Sequence, residues 1–320
     1  MKNISDIKNL KNILILRGEG SLGDAILSSC CYREYKKANP ELKISVACYG
    51  SATAYLQNNK YIDVIYKIPA RRVIRPNQRW IGLILLGLRL RIKNFDLIID
   101  SSAKDFLNWR LFKLLAGRGR EINASCLSGD FFKKPFHAQE LEKEIAKLLI
   151  KHDIDSSYDL PVEPETEQKI NSLLEEKGIS EYILLNLFGS IEARSFNQET
   201  FDKITKQIIT KNPNAQIVIP GMPAQIERVK TWAQIKNSFL FKTANVFELF
   251  ELIKRSSLVI TPDTAIIHIA SGYKIKTIGF YNAYSAYNAP YNTQSKIVIT
   301  DKNSVNNFKT QDFTLAYEQI

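Results

Sequence analysis

Short apolar segments rich in β-branched residues alternate with stretches of helical period along nearly the whole chain. No other feature narrows the fold as far. Candidate strands in the first half are NILILR (12–17), KISVACY (43–49), DVIYKI (63–68) and FDLIIDS (95–101). Helices are expected over 25–38, 108–117 and 140–152. A polar stretch with two prolines, DIDSSYDLPVEPETEQ (153–168), reads as a linker. The alternation then restarts, with strands at 182–188, 215–221, 238–243 and 257–264 and a closing one at 276–281. Helices are expected from residue 198 and over 223–235, 246–256 and 265–273. Strands separated by helices of this length form βαβ units and therefore parallel sheets. The expectation is an α/β chain of two Rossmann-like domains, 1–157 and 158–320, whose parallel sheets face a central cleft. The last helix could return to pack on the first domain. Ligands should bind where the strands end.

Composition limits the function classes. With 45% hydrophobic and 24% charged residues, the chain is of ordinary globular type. It opens on a polar MKNISD, and its longest near-apolar run, WIGLILLGL (80–88), is far shorter than the ~20 residues of a spanning helix. A cytoplasmic protein is expected. Cys30, Cys31, Cys48 and Cys126 show no C-x-x-C spacing and only His137, His152 and His268 are present, so no metal site is expected. The cysteines read as reduced, buried and inert. The net charge of +11 is uneven: residues 1–160 hold 27 Lys and Arg against 17 Asp and Glu, whereas 161–320 hold 17 against 16. A polyanionic partner for the first half follows: nucleic acid, an anionic membrane or a phosphorylated substrate.

The first candidate site follows the first strand. Gly18-Glu19-Gly20-Ser21-Leu22-Gly23 spells the dinucleotide fingerprint G-x-G-x-x-G between a strand and a helix. That reading needs an acid at the end of the second strand to hold the ribose, yet none lies between Glu41 and Asp63. Asp24 would also set a carboxylate against the diphosphate. The letters match and the chemistry does not. Gly20, Ser21 and Gly23 then serve a sharp turn that exposes the helix start. The helix dipole keeps Asp24 ionised, able to accept a proton from a hydroxyl nucleophile. The alternative is that Asp24 only stabilises its own helix.

The second site is TPDTAIIHIAS (261–271). Asp263 and Thr264 mark a strand-to-helix junction, and His268 lies one turn beyond Thr264 on the same face. Free N–H groups, a hydroxyl and an imidazole suit a diphosphate. The alternative is an Asp N-cap and a core histidine. In LFGSIEARSF (187–196), Gly189 and Ser190 leave a strand and Arg194 offers a bidentate phosphate donor. Asp153-Ile-Asp155 spells D-x-D but no strand leads into it, and it is discounted. Arg71, Arg72, Arg75 and Arg79 open a basic stretch, 70–93, that could rest on an anionic membrane surface or an acidic acceptor. A core helix with a solvated basic edge is the alternative.

Taken in order, SLGDAILSS, FDLIIDSSAKD (95–105), His137, GSIEAR and TPDTAIIHIASGYKIKTIGFY resemble the heptosyltransferases of glycosyltransferase family 9. The resemblance implies a GT-B fold, with the acceptor on the first domain and the nucleotide-sugar on the second. It implies inverting, metal-independent transfer of L-glycero-D-manno-heptose from its ADP-sugar to the inner core of lipopolysaccharide or lipooligosaccharide, with no cofactor. The enzyme would work from the cytoplasm as a peripheral protein on the inner membrane face. Asp24 matches the base of that family. Gly189, Ser190 and Arg194 match its phosphate loop, and Asp263, Thr264, Ala265 and His268 match its donor signature. The sequence departs from the pattern in three places. Arg194 stands where Lys is usual and is followed by Ser-Phe-Asn instead of Trp-Pro. Ala265 replaces a glycine, and Gln225 replaces an acid expected near the nucleotide ribose. The nucleotide and sugar therefore stay open, with a UDP-hexose or UDP-N-acetylhexosamine as the other donor. A basic nucleic-acid-binding protein without catalysis would explain the charge but not Asp24. No nucleic-acid module is visible, so nucleic acid is not the expected partner.

Overall fold

The computed structural model describes residues 6–320 apart from 18–20, 49, 51, 69–75, 101–106, 118–120, 233, 234, 236, 283–285 and 302, and the backbone alone at 76–80, 107–111 and 286. The chain divides into two compact units, Met1–Asp159 and Leu160–Ile320. Of the residues singled out above, Gly18–Gly20, Arg71, Arg72, Arg75 and Ser101–Asp105 lie outside the described residues, as does the side chain of Arg79.

The first unit runs β1 (Asn12–Arg17), α1 (Leu22–Leu27), α2 (Ser29–Ala38), β2 (Lys43–Cys48), α3 (Ala52–Gln57) and β3 (Val64–Lys67). It continues with α4 (Pro76–Arg91), β4 (Leu97–Asp100), α5 (Leu107–Ala116), β5 (Glu121–Asn123) and α6 (Ala138–Lys147). Its strands form one parallel sheet in the order β3-β2-β1-β4-β5. β1 lies centrally, pairing Asn12 with Lys43 on one side and Ile13 with Leu97 on the other. Ile13 to Leu16 are all buried. A strand covered on both faces needs a continuous apolar run rather than an alternating one. The single helix expected over 25–38 is instead α1 and α2. Ser28 Oγ donates to the carbonyls of Asp24 (3.2 Å) and Ala25 (3.1 Å), and Ser29 Oγ donates to that of Ile26 (2.7 Å). Such hydroxyls compete with the helical ladder and break it locally.

The expected linker is shorter than the sequence suggested, because Pro164 is the first residue of α7 (Pro164–Glu176). A proline there gives up an N–H that has no helical partner anyway. Within the remaining segment, Arg33 holds the carbonyls of Asp155 (2.8 Å) and Ser157 (3.0 Å) and the carboxylate of Asp159 (3.0 Å). Asp155 is therefore a structural partner of α2. Cys30, Cys31 and Cys48 are buried, but Cys126 is exposed, against the expectation that all four are buried; all four are free thiols.

After α7 the second unit runs β6 (Tyr182–Leu185), α8 (Gln198–Lys211), β7 (Gln216–Gly221), α9 (Pro223–Val229), β8 (Ser238–Lys242) and α10 (Val246–Lys254). It ends with β9 (Leu258–Pro262), α11 (Ala265–Gly272), β10 (Lys276–Tyr281), β11 (Ser295–Ile299) and α12 (Thr310–Glu318). The parallel order β11-β10-β9-β6-β7-β8 repeats the winding of the first sheet, with the unit's first strand inside and later strands laid to either side. β11 extends the series that β10 was expected to close. The last helix packs on its own unit. Phe313 is fully buried against Phe280, Thr314 bonds Gln207 (3.1 Å), and Lys211 pairs with Glu318.

At the end of β1 the Arg17 guanidinium is buried and paired twice with Glu142 of α6, at 2.5 and 2.9 Å. Its Nε also donates to the Tyr32 hydroxyl at 3.1 Å. Removing one partner of a buried pair strands the other charge, at a cost of about 3–5 kcal/mol. Glu142→Ala should lose that much in urea unfolding. Replacing both residues with apolar ones of similar volume should lose much less.

Candidate functional site

The first unit presents Asp24. Ser21 is the N-cap of α1, its backbone extended (φ −82°, ψ 150°), and its Oγ accepts the Asp24 N–H at 3.1 Å. The same hydroxyl donates its proton to the Asp24 carboxylate. One serine thus ends the strand-to-helix turn and fixes the carboxylate over the first helical turn, where the N–H groups favour negative charge. Asp24 is half-buried, and Gly23 beside it is buried. The structure therefore gives Asp24 a helix-stabilising role. His137 is the N-cap of α6, with its Nδ1 accepting the Gln139 N–H at 3.1 Å.

The second unit gathers more. Its strands end around a cavity of about 280 Å³, lined among others by Phe188, Gly221, Met222, Gln225, Thr243 and Leu249. Asn186 forms part of the wall and is buried. Its Nδ2 donates to the Phe188 carbonyl (3.0 Å) and to Thr261 Oγ1 (2.9 Å), and its Oδ1 accepts the Phe188 N–H (3.1 Å). Thr261 Oγ1 in turn lies 3.1 Å from Thr264 Oγ1. A continuous polar path therefore joins the cavity wall to the start of α11.

Thr264, not Asp263, is the N-cap of α11, accepting the Ile266 N–H at 3.3 Å. Asp263 still belongs to the sheet edge, since its N–H is bonded to the Phe280 carbonyl at 2.9 Å. The Ile267 N–H is bonded to the Thr264 carbonyl at 3.1 Å, so Thr264 meets two N–H groups of this helix end. Ala265 is the first helical residue, and His268 is buried one turn in. Gln225 sits in the first turn of α9, its Oε1 accepting the Met222 N–H at 2.9 Å.

Arg194 reaches this end from the loop after β6, with its Nη1 3.5 Å from Asp263 Oδ2. The loop is folded back tightly. A Cβ on Gly189 would fall 2.1 Å from the Arg194 carbonyl oxygen, so no larger residue fits without moving the loop. The Gly189 N–H donates to Ser195 Oγ at 3.0 Å, while Ser190 is exposed. Burial raises the Asp263 carboxyl above its ordinary pKa, and the Arg194 cation pulls it back. The structure thus brings Gly189, Arg194, Asp263 and Thr264 together, with Gln225 on the adjoining cavity. Asn186, Phe188 and Thr243 were not foreseen. The one signal for Asn186 is a lone amide in the apolar run YILLNLF. Among the described residues, no three His, Cys, Asp or Glu side chains are grouped to hold a metal ion.

The family model described as "Glycosyltransferase family 9 (heptosyltransferase)" matches residues 137–318. The chain belongs to glycosyltransferase family 9. It is a glycosyltransferase of the heptosyltransferase type, and the match includes α6 together with the whole cavity and the Asp263–Thr264 junction. "Putative lipopolysaccharide heptosyltransferase 4" of Escherichia coli (strain K12) is 25% identical over 297 residues, 87% of this chain and 76% of that protein. Among solved structures, the glycosyl transferase family 9 of Veillonella parvula DSM 2008 superposes with a TM-score of 0.75 at 14% identity, covering 98% of both chains. E. coli heptosyltransferase WaaC, solved with ADP-2-deoxy-2-fluoro heptose, gives 0.69 at 14% identity, covering 96% of this chain and 99% of that one. These likenesses give the family 9 chain the GT-B fold.

In this transferase the Arg194–Asp263 pair can be read by titration. Arg194→Gln removes the cation that opposes burial, so the Asp263 carboxyl should titrate at higher pH, which carbon NMR of the side chain would report. A raised folded pKa means the folded state holds the proton longer. This site therefore favours folding most below the ordinary carboxyl range, and that benefit declines as pH rises through the folded pKa. The variant should extend the decline to higher pH.

Proposed function

We propose that this enzyme transfers L-glycero-D-manno-heptose from its ADP-sugar to the inner core of lipopolysaccharide, with inversion and without a metal ion. The observation that supports this best is the path in the second unit from an apolar cavity, through Asn186 and Thr261, to the Thr264 helix start and Arg194. In this reading the cavity takes the nucleobase, with Gln225 toward the ribose. Gly189, Ser190, Arg194, Asp263, Thr264, Ala265 and His268 surround the diphosphate and sugar. The acceptor belongs to the first unit, whose excess of basic residues suits an acidic, phosphorylated glycolipid. The enzyme would then work on the inner face of the cytoplasmic membrane as a peripheral protein.

The chemistry follows from the groups assigned. The acceptor hydroxyl attacks the anomeric carbon from the side opposite the diphosphate, and Asp24 accepts its proton as the new bond forms. Ser21 holds the Asp24 carboxylate in place for this. Negative charge builds on the leaving diphosphate, where Arg194, the Thr264 hydroxyl and the N–H groups at the start of α11 would meet it. A guanidinium and oriented backbone donors can do the neutralising work that a divalent ion performs elsewhere.

Asp24→Asn should lower turnover by roughly 10²–10⁴-fold. The ADP-induced rise in melting temperature should stay as in the wild type. Among ADP, UDP and GDP, ADP alone should stabilise the protein. Stabilisation by UDP alone would replace the donor assigned here, and full turnover by the Asn variant would remove Asp24 as base.

A further inference from the structure

α4 is apolar around most of its circumference, as a helix enclosed by protein would be, yet only part of it is enclosed. Leu83, Gly87 and Leu90 are buried, and Gly87 packs so closely on α5 that a Cβ there would fall 2.7 Å from Leu115 Cβ. Another face is open to solvent: Ile81 is 60% exposed, Ile84 37%, Leu85 61%, Leu88 45%, and Ile92 just past the helix 83%. Their spacing of three and four residues places them on one stripe. Arg89, Arg91 and Lys93 lie exposed beside it. From residue 64 to residue 95 the sequence holds eight Lys and Arg and no Asp or Glu.

We infer that the exposed stripe of α4 is a docking face for an anionic lipid surface, with the helix lying in the plane of the headgroups. The proposal rests on the peripheral location suggested above, and it names the element responsible. Charge decides among occupants. A second copy of this chain would set one acid-free basic edge against another, which is repulsive, whereas anionic headgroups complement both the apolar stripe and its cationic border. Sixteen residues span about 24 Å as a helix, and one side is committed to α5, so α4 lies on a membrane and does not cross it. The same unit exposes a second element of like chemistry. Phe131, Phe132 and Phe136 cluster with ring centroids 4.8–5.7 Å apart, Phe132 is 45% exposed, and Lys134 beside them is exposed, while Lys133 pairs with Asp130 at 2.6 Å.

The test is sedimentation of the full chain with vesicles of phosphatidylcholine alone, and of phosphatidylcholine with phosphatidylglycerol. Wild type should bind the mixed vesicles and not the neutral ones. The combined variant Ile81→Ser, Leu85→Ser, Leu88→Ser should bind the mixed vesicles at least about tenfold more weakly, given the apolar area removed. All three positions are exposed, so ADP stabilisation should be unchanged, which separates loss of docking from loss of fold or of donor binding. Arg89→Glu with Lys93→Glu gives an independent variant that leaves the apolar stripe intact and should also weaken binding. Undiminished binding by both variants overturns the assignment to α4. Equal binding of wild type to both vesicle types overturns the anionic preference. A wild-type dimer that the Ser variant converts to a monomer shows instead that the face joins copies of this chain. No vesicle binding by wild type removes the peripheral location together with this inference, while the donor assignment stands on its ADP response.

Discussion

Parallel pairing of a central strand on both sides places demands on the chain that every later feature has to meet. β1 lies between β2 and β4, and β6 between β7 and β9, all running the same way. The connection leaving each central strand goes to one side of the sheet, while the connection leaving its later neighbour goes to the other. The loops part, and a crevice is left where the strands end. In the second unit that crevice is bridged by hydrogen bonds. The Asn186 N–H reaches the Ile260 carbonyl at 2.9 Å, and its side chain reaches Thr261 at 2.9 Å. These bonds tie the ends of two strands that would otherwise separate, and they also orient the Thr264 start of α11.

The strands were legible in the sequence because burial on both faces leaves them almost wholly apolar, as Ile13–Leu16 and Leu258–Ile260 show. Elements with little to bury were harder to see. β5 is three residues long, α3 is six, and α7 opens on acidic residues and buries only Ile170 and Leu174. The break at Ser28 was hidden because a serine in a helical pattern gives no sign of which carbonyl it will bond. At the candidate site the residue types were readable and their assignments less so. Asp263 and Thr264 are equally good caps by type. The hydrogen bond from Asp263 N–H to β10 holds it in the sheet and passes the cap to Thr264. Asn186 and Thr261 are 75 residues apart in sequence, and no local pattern could have paired them.

The basic surplus of the first unit also looks different once its interior is known. Arg17, Arg33 and Lys113 have largely buried side chains, but each meets acids: Glu142 for the first, Glu34 and Asp159 for the second, Asp100 and Glu121 for the third. Buried pairs contribute little net stability and much geometric definition, since losing either partner is costly. Here Arg17–Glu142 and the bonds of Arg33 to Asp155 and Asp159 join segments more than a hundred residues apart, drawing α6 and the Asp155–Asp159 segment onto the sheet and α2. Among the described residues, each of these three cations is matched by at least one carboxylate, so together they take up none of the unit's excess.

The Arg194–Asp263 pair bears on the departures from the family pattern. A lysine at this position would offer three donors gathered on one compact charge. A guanidinium spreads five donors across a plane, so one nitrogen can stand near Asp263 while the others face elsewhere. The 3.5 Å separation and the 40% exposure of the Arg194 side chain describe a loose pairing with capacity left over. Burial already works against ionisation of Asp263. An anionic diphosphate arriving at Thr264 would add to that pressure, unless the cation served both groups. In the donor site proposed above arginine would serve both, from a backbone that the Gly189 turn folds back on itself.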